Sequence, residues 1–140
     1  DFIKKLEFQE EGTLSGFSGK LGNRHSFFQF SNFINPQSIY ELDLDSLEFK
    51  LYWKNKIKNL VSENYETKLN FYESKDGTKI PIHLAYDKSI NITSDTPVLL
   101  YGYGGFNIPI LPNFSKKFYM WIKSGGVLAI TNLRGGSEYG

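Results

Sequence analysis

Two glycine-rich runs hold the residues best placed to do chemistry: Tyr101-Gly-Tyr103-Gly104-Gly105-Phe106-Asn107, and Asn132-Leu-Arg134-Gly-Gly-Ser137-Glu-Tyr-Gly140. Each follows an apolar stretch, Val98–Tyr101 in one case and Val127–Ile130 in the other. Open α/β sheets bind ligands outside the carboxyl ends of such strands. Glycine at those ends lets backbone approach a ligand or take a positive φ. Two strand ends of this type predict the rim of an active site. Other candidates are weaker. Gly102-Tyr-Gly104-Gly-Phe-Asn107 lacks the last glycine of a dinucleotide loop, and no phosphate loop is expected. His25 and His83 stand alone, without the partners a metal site needs. The stripe Glu41, Asp43, Asp45 imitates a paired-carboxylate site, but lysines on the adjoining segment make it a solvated outer face.

A resemblance becomes specific at these residues. YGYGGFN at 101–107, the Pro112-Asn113 turn, GGVLAITNLRGGSEYG at 125–140 and Ser74-Lys-Asp-Gly-Thr-Lys-Ile-Pro81 are similar to the prolyl oligopeptidase family of serine peptidases. The resemblance is dense from about Tyr65 to Gly140, looser from about Gly16 to Lys58, and thin before that. It implies a mixed architecture, antiparallel β-propeller blades followed by the start of an α/β-hydrolase sheet. Residues 1–60 would be the C-terminal part of the propeller, and 61–140 the incomplete N-terminal part of the peptidase domain. The implied activity is hydrolysis of short peptides on the carboxyl side of proline, the propeller restricting entry to peptides. Short proline-containing peptides are then the partners. No cofactor, nucleic acid or membrane is expected, and the full-length protein would be a monomer.

The resemblance also assigns roles. Serine hydrolysis needs a nucleophile, a base, an orienting carboxylate and donors aimed at the developing oxyanion. The nucleophile of α/β-hydrolases sits in a Gly-x-Ser-x-Gly elbow, followed by Asp and then His. Gly135-Gly-Ser137-Glu-Tyr139 and Gly16-Phe-Ser18-Gly-Lys20 both lack the closing glycine. Ser137 is therefore not the expected nucleophile, and the triad would lie beyond Gly140. What remains is Tyr103, which the resemblance makes the donor to the oxyanion. A phenol at a strand end is rigid, and a pKa of about 10 keeps its proton on at neutral pH. Phe106 would line the substrate pocket near the proline ring. Gly104, Gly105 and Arg134 would organise the loops, the arginine through charge-assisted bonds. Read without the family, Tyr103 is a packed aromatic and Phe106 a core residue at a turn. Two alternatives stay open: a catalytically empty β-rich interaction module, and an oligopeptidase that cuts after basic residues, whose motif departs from YGYGGFN after the glycines.

The elements that must position these residues follow from periodicity. Ser26–Phe33, rich in Phe, Ser38–Asp45 and Glu48–Lys54 read as strands of a meander. In the second, Tyr40, Leu42 and Leu44 alternate with the acidic residues. In the third, Phe49, Leu51 and Trp53 are expected inward. Pairing Asp45 with Lys50 sets Glu41 opposite Lys54 and Leu42 opposite Trp53. Lys54–Asn64 is polar and aperiodic, a linker. Glu66–Ser74 and Lys79–Asp87 flank Asp76-Gly77, a hairpin signal, with Ile80, Ile82, Leu84 and Tyr86 on one face and His83 on an outer one. Val98–Tyr103 has no polar face, which predicts cover on both sides. Asn113–Lys123 has helical spacing at Phe114, Phe118, Trp121 and Ile122, closed by Gly125-Gly126.

Composition bounds the rest. With 140 residues, 40% hydrophobic and 22% charged, the chain is globular rather than disordered. A net charge of +1 gives no electrostatic case for nucleic acid or a membrane surface. Zero cysteines exclude a disulfide framework and fit a reducing, cytoplasmic setting. The opening Asp1-Phe-Ile-Lys-Lys has neither Met nor an apolar leader, which predicts a mid-chain start.

Overall fold

The computed structural model describes residues 5–8, 10–20 and 22–138. The chain is β-rich, with two four-stranded sheets and one α-helix. It divides into two compact units, one running to Leu60 and including Pro112–Phe114, the other comprising Val61–Leu111 and Ser115 onward.

The first unit is an antiparallel meander in chain order: β1 (Thr13–Ser18), β2 (His25–Ser31), β3 (Ser38–Asp43) and β4 (Phe49–Lys54). Its core is aromatic because alternate residues of β2 point one way. Phe28 and Phe30 are buried there, and Phe28 stacks on Tyr40 at 5.5 Å. Phe8 stacks on Phe30 and Phe49, with centroids 5.0 and 4.6 Å away. Asn32 turns the chain between β2 and β3, its Oδ1 accepting from the N–H groups of Ile34 and Asn35. An Asx turn of this kind replaces a backbone turn with a side chain.

The β3–β4 register differs from expectation. Glu41 lies opposite Lys50, not Lys54, and Leu42 opposite Phe49, not Trp53. The turn is the reason. Asp43, not Asp45, closes it: its N–H donates to Glu48 O, and its Oδ1 accepts from Asp45 and Ser46 N–H. Between Tyr40 and Leu42 the shift is even and keeps side chains on their faces, so a Glu–Lys pair still forms, with Lys50 Nζ 3.1 Å from Glu41. An irregularity between Ile39 and Tyr40 makes the shift odd beyond it, where Ile39 pairs with Trp53. Leu51 and Trp53 are 51% and 47% exposed, on the last strand of the sheet among the described residues.

The second unit contains a 3-10 turn (Ser62–Asn64), β5 (Tyr65–Glu73), β6 (Lys79–Asp87), β7 (Val98–Tyr103), α1 (Lys116–Lys123) and β8 (Val127–Asn132). The sheet order is β5-β6-β8-β7, with β7 and β8 parallel and the other pairs antiparallel. A parallel β7–α1–β8 crossover is thus extended by an antiparallel hairpin. Every residue of β8 is buried. Gly77, with φ 81°, makes the β5–β6 turn, and Ser74 N–H reaches Thr78 O at 2.8 Å.

The helix starts at Lys116, later than expected, and Phe114 lies outside it with its N–H on Ser31 Oγ. Its end is a Schellman motif: Gly126 N–H donates to Trp121 O and Gly125 N–H to Ile122 O, with Gly125 at φ 92°. The indole N–H of Trp121 then caps Val127 O at 3.0 Å. Ile122 and Tyr119 are the buried anchors, and the Tyr119 ring meets Tyr65 edge-on at 5.6 Å. That contact identifies the helix side of the sheet. Tyr65 shares a face with Ala85 and His83 through the β5–β6 register, so the face expected to be outer is the one α1 covers, and Ala85 is 1% exposed. The expected double cover of β7 is also absent among the described residues: Val98 and Leu100 are 55% and 66% exposed. β7 is an edge strand, and α1 covers only the side bearing Tyr101, whose ring tilts against Phe118.

Candidate active site

The two glycine-rich runs are brought together. Because β7 and β8 are parallel neighbours, they end at the same edge, and Tyr103 lies directly opposite Asn132. Glycine is what permits the approach beyond that point. A Cβ on Gly104 would stand 2.4 Å from Arg134 O, and one on Gly135 2.4 Å from Gly104 O. Neither contact tolerates a side chain, since backbone sits on both sides. Gly135 also holds φ 93°, a conformation glycine takes at little cost.

After this contact the chain turns back on itself. Ile108 N–H donates to Gly105 O at 3.1 Å, and the central residues Phe106 and Asn107 have φ of 54° and 57°. Positive φ at both central positions is the type I′ pattern, which favours glycine and asparagine. A phenylalanine there carries roughly 1–2 kcal/mol of backbone strain. Among the described residues Phe106 is 91% exposed, so it is not a core residue of this unit, and no burial within the unit offsets that strain. Strained backbone of this kind clusters at ligand clamps and active sites. Asn107 N–H fastens the turn to Gly135 O at 2.9 Å. The Tyr103 ring is half-buried and lies against Gly105, where a Cβ would be 3.2 Å from the phenol oxygen. A phenol, two glycines and a raised aromatic therefore share one short stretch at the sheet edge.

Arg134 points to the β5–β6 turn, its Nη2 2.5 Å from Asp76 Oδ2. The Thr78 N–H, and then this guanidinium, hold the Asp76 carboxyl at about 2, well below the usual carboxylate range. A lowered folded-state pKa gives stability that is present above the unfolded value near 4 and lost as pH falls through about 2. Arg134→Ala is expected to move the Asp76 titration upward but not to its ordinary value, because the Thr78 N–H remains. Carboxyl-carbon NMR across pH 1.5–5 measures it, and an unmoved midpoint removes Arg134 from the turn.

Glu138 was not anticipated. Its Oε1 accepts from Ile110 N–H at 2.8 Å and Asn132 Nδ2 at 3.0 Å, and the same amide donates to Ile110 O at 3.0 Å. Its only signal in the sequence is an acidic residue closing a glycine-rich run. Tyr139 and Gly140, the last two residues of that run, lie outside the described residues. The carboxylate stripe of the first unit is paired: Arg24 lies against Asp43 and Asp45, and Lys50 and the His25 imidazole against Glu41. A recess of about 350 Å³ in that unit is walled by Phe8, Phe30, Tyr40 and Phe49 and includes none of the glycine-rich residues. Among the described residues no helix is long and apolar enough to cross a membrane.

Comparison with known proteins decides the relationship. Prolyl endopeptidase of Elizabethkingia miricola is 38% identical over 138 residues, 99% of this chain and 19% of that protein. Solved prolyl endopeptidases superpose on 99% of the chain with a TM-score of 0.90 at 34% identity, which is 20% of the solved chain. The chain belongs to the prolyl oligopeptidase family. Prolyl oligopeptidase B of Galerina marginata, solved with a 35-residue hydrolysis and macrocyclisation substrate, matches 99% of the chain and 20% of its own, with a TM-score of 0.89 and 30% identity. No family model matches. The chain spans about a fifth of the length of the prolyl oligopeptidase relatives it matches. Its two sheets and single helix agree with a segment of that family.

Proposed function

We propose that this chain is the segment of a serine-type endopeptidase in which the last strands of a β-propeller, residues 1–60, lead into the opening of an α/β-hydrolase domain, residues 61–140. The full-length enzyme hydrolyses short peptides on the carboxyl side of proline in the cytoplasm. Tyr103 supplies an oxyanion donor, Phe106 stands against the proline ring, and the Ser–Asp–His triad comes from elsewhere in the protein. The observation that carries this reading is the convergence of Tyr103, Gly104, Gly105 and the exposed, strained Phe106 with the Arg134–Glu138 run at one sheet edge. The antiparallel meander and the β7–α1–β8 crossover support the division between the two folds, and the relatives named prolyl endopeptidase support the specificity.

Chemically, the site offers what acyl transfer needs from this part of a fold. A neutral phenol can donate to an oxygen that gains negative charge, and a preorganised donor is worth more where water is excluded. The nucleophile and its base are not among these residues, so the 140-residue chain alone is inactive. Full-length protein is expected to cleave a Gly-Pro reporter peptide and to be inhibited by an active-serine reagent, while the 140-residue chain releases no product. Cleavage after Arg or Lys in preference to Pro would overturn the specificity. Activity in the short chain would overturn the division of labour.

A further inference from the structure

We infer that Glu138 is a positioning residue for substrate recognition: its carboxylate fastens the loop 104–110 to the end of β8 and thereby sets where Phe106 stands. The inference rests on the reading above, in which Phe106 walls the peptide pocket. One carboxylate oxygen, the Asn132 amide and the peptide at Ile110 close a ring of three hydrogen bonds, at 2.8, 3.0 and 3.0 Å. Asn132 is 6% exposed and lies opposite Tyr103 in the β7–β8 ladder. The same ring that ends at Ile110 is therefore anchored beside the phenol.

The Phe106 turn needs such an anchor. Phe106 and Asn107 both hold left-handed backbone, and Phe106 has no core around it. Three bonds fasten the turn to the end of β8: Asn107 N–H on Gly135 O, Ile110 N–H on Glu138, and the Asn132 amide, itself held by Glu138, on Ile110 O. With the second removed, the backbone can relax toward an unstrained conformation and carry Phe106 with it. Gly136 provides the room: a Cβ there would come within 2.1 Å of Glu138 Oε2, so the carboxylate can fold back only over glycine. Burial pushes the Glu138 carboxyl up, but bonds from Ile110 N–H, its own N–H and the Asn132 amide outweigh it and hold the group below its ordinary value. The acceptor is thus ionised at neutral pH, and charge-assisted bonds are the stronger kind.

The test uses the full-length protein, a proline reporter peptide and amide hydrogen exchange. Glu138→Ala is expected to raise KM about 10-fold with kcat falling less than about 3-fold, since a pocket wall serves ground and transition states alike. Glu138→Gln, which keeps an oxygen acceptor, should stay within about 3-fold of wild type. In a Phe106→Ala background the KM effect of Glu138→Ala should shrink below about 2-fold, because the side chain being positioned is gone. Exchange at the amides of Asn107, Ile108 and Ile110 should quicken about 10-fold in Glu138→Ala. If that variant does not fold, Glu138→Asp, whose carboxylate is one methylene short of Ile110 N–H, carries the same comparison. A KM effect that persists undiminished in Phe106→Ala, or unchanged exchange at those amides, overturns the inference. If wild-type protein cleaves no peptide, the peptidase reading fails by itself; faster exchange then still supports the Glu138 clamp, and unchanged exchange overturns it.

Discussion

Tyr103→Phe in the full-length enzyme is expected to lose about 10²-fold in turnover, near 2.7 kcal/mol, while keeping its fold and its affinity for peptide. The substitution removes one oxygen and leaves the ring. That ring is half-buried at the end of β7, with its oxygen end over Gly105, so packing changes little. Only an interaction stronger in the transition state than in the ground state acts on the chemical step, and a donor to a developing oxyanion is of that kind. Turnover and KM on a proline reporter, together with a thermal unfolding curve, measure the three quantities. A folded variant with unchanged turnover would return Tyr103 to the role of a packed aromatic.

Gly135→Ala should be the most damaging single methyl in the second unit. Its Cβ would meet Gly104 O at 2.4 Å, at a backbone φ of 93°. Strain in the left-handed region contributes about 1–2 kcal/mol, and overpacking against an immovable group about 1–3 kcal/mol. Gly125→Ala separates the two terms, because Gly125 has a similar φ of 92° and nothing within 4 Å of the added carbon. Gly135→Ala is therefore expected to be less stable than Gly125→Ala by at least about 1 kcal/mol. Unfolding midpoints of the two variants supply the difference. Equal midpoints would mean that the Gly104–Gly135 contact shifts without resistance.

Much of this arrangement was legible in the residues. Alternation along Ser38–Asp43 and the Asp76-Gly77 pair located a strand and a hairpin, and the paired glycine-rich ends pointed to one edge. The misreadings have physical causes. Alternation specifies faces but not pairing, so the β3–β4 register depended on Asp43 capping Asp45 and Ser46 with its own side chain. The helical period was continued back to Asn113, although the Phe114 N–H is taken by Ser31. An apolar run without a polar face does not name its neighbours, and among the described residues β7 pairs with β8 alone. Phe106 could not be placed from its type, since phenylalanine rarely takes positive φ. Glu138 was invisible for a different reason: its partners, Ile110 and Asn132, are 28 and 6 positions away.

Sheet order also governs how this segment is made. Among the described residues β7 bonds within its sheet to β8, yet Tyr103 leaves the ribosome 24 positions ahead of Val127. At translation rates of about 5–20 residues per second, β7 waits on the order of 1–5 s for β8. An apolar strand with an unpaired ladder is the aggregation-prone part of a nascent chain. What arrives during that wait is α1, with Lys116, Lys117 and Lys123 all exposed to solvent. Three exposed charges next to an unpaired apolar strand match the pattern of gatekeeper residues, which oppose association until the pairing strand, here β8, emerges.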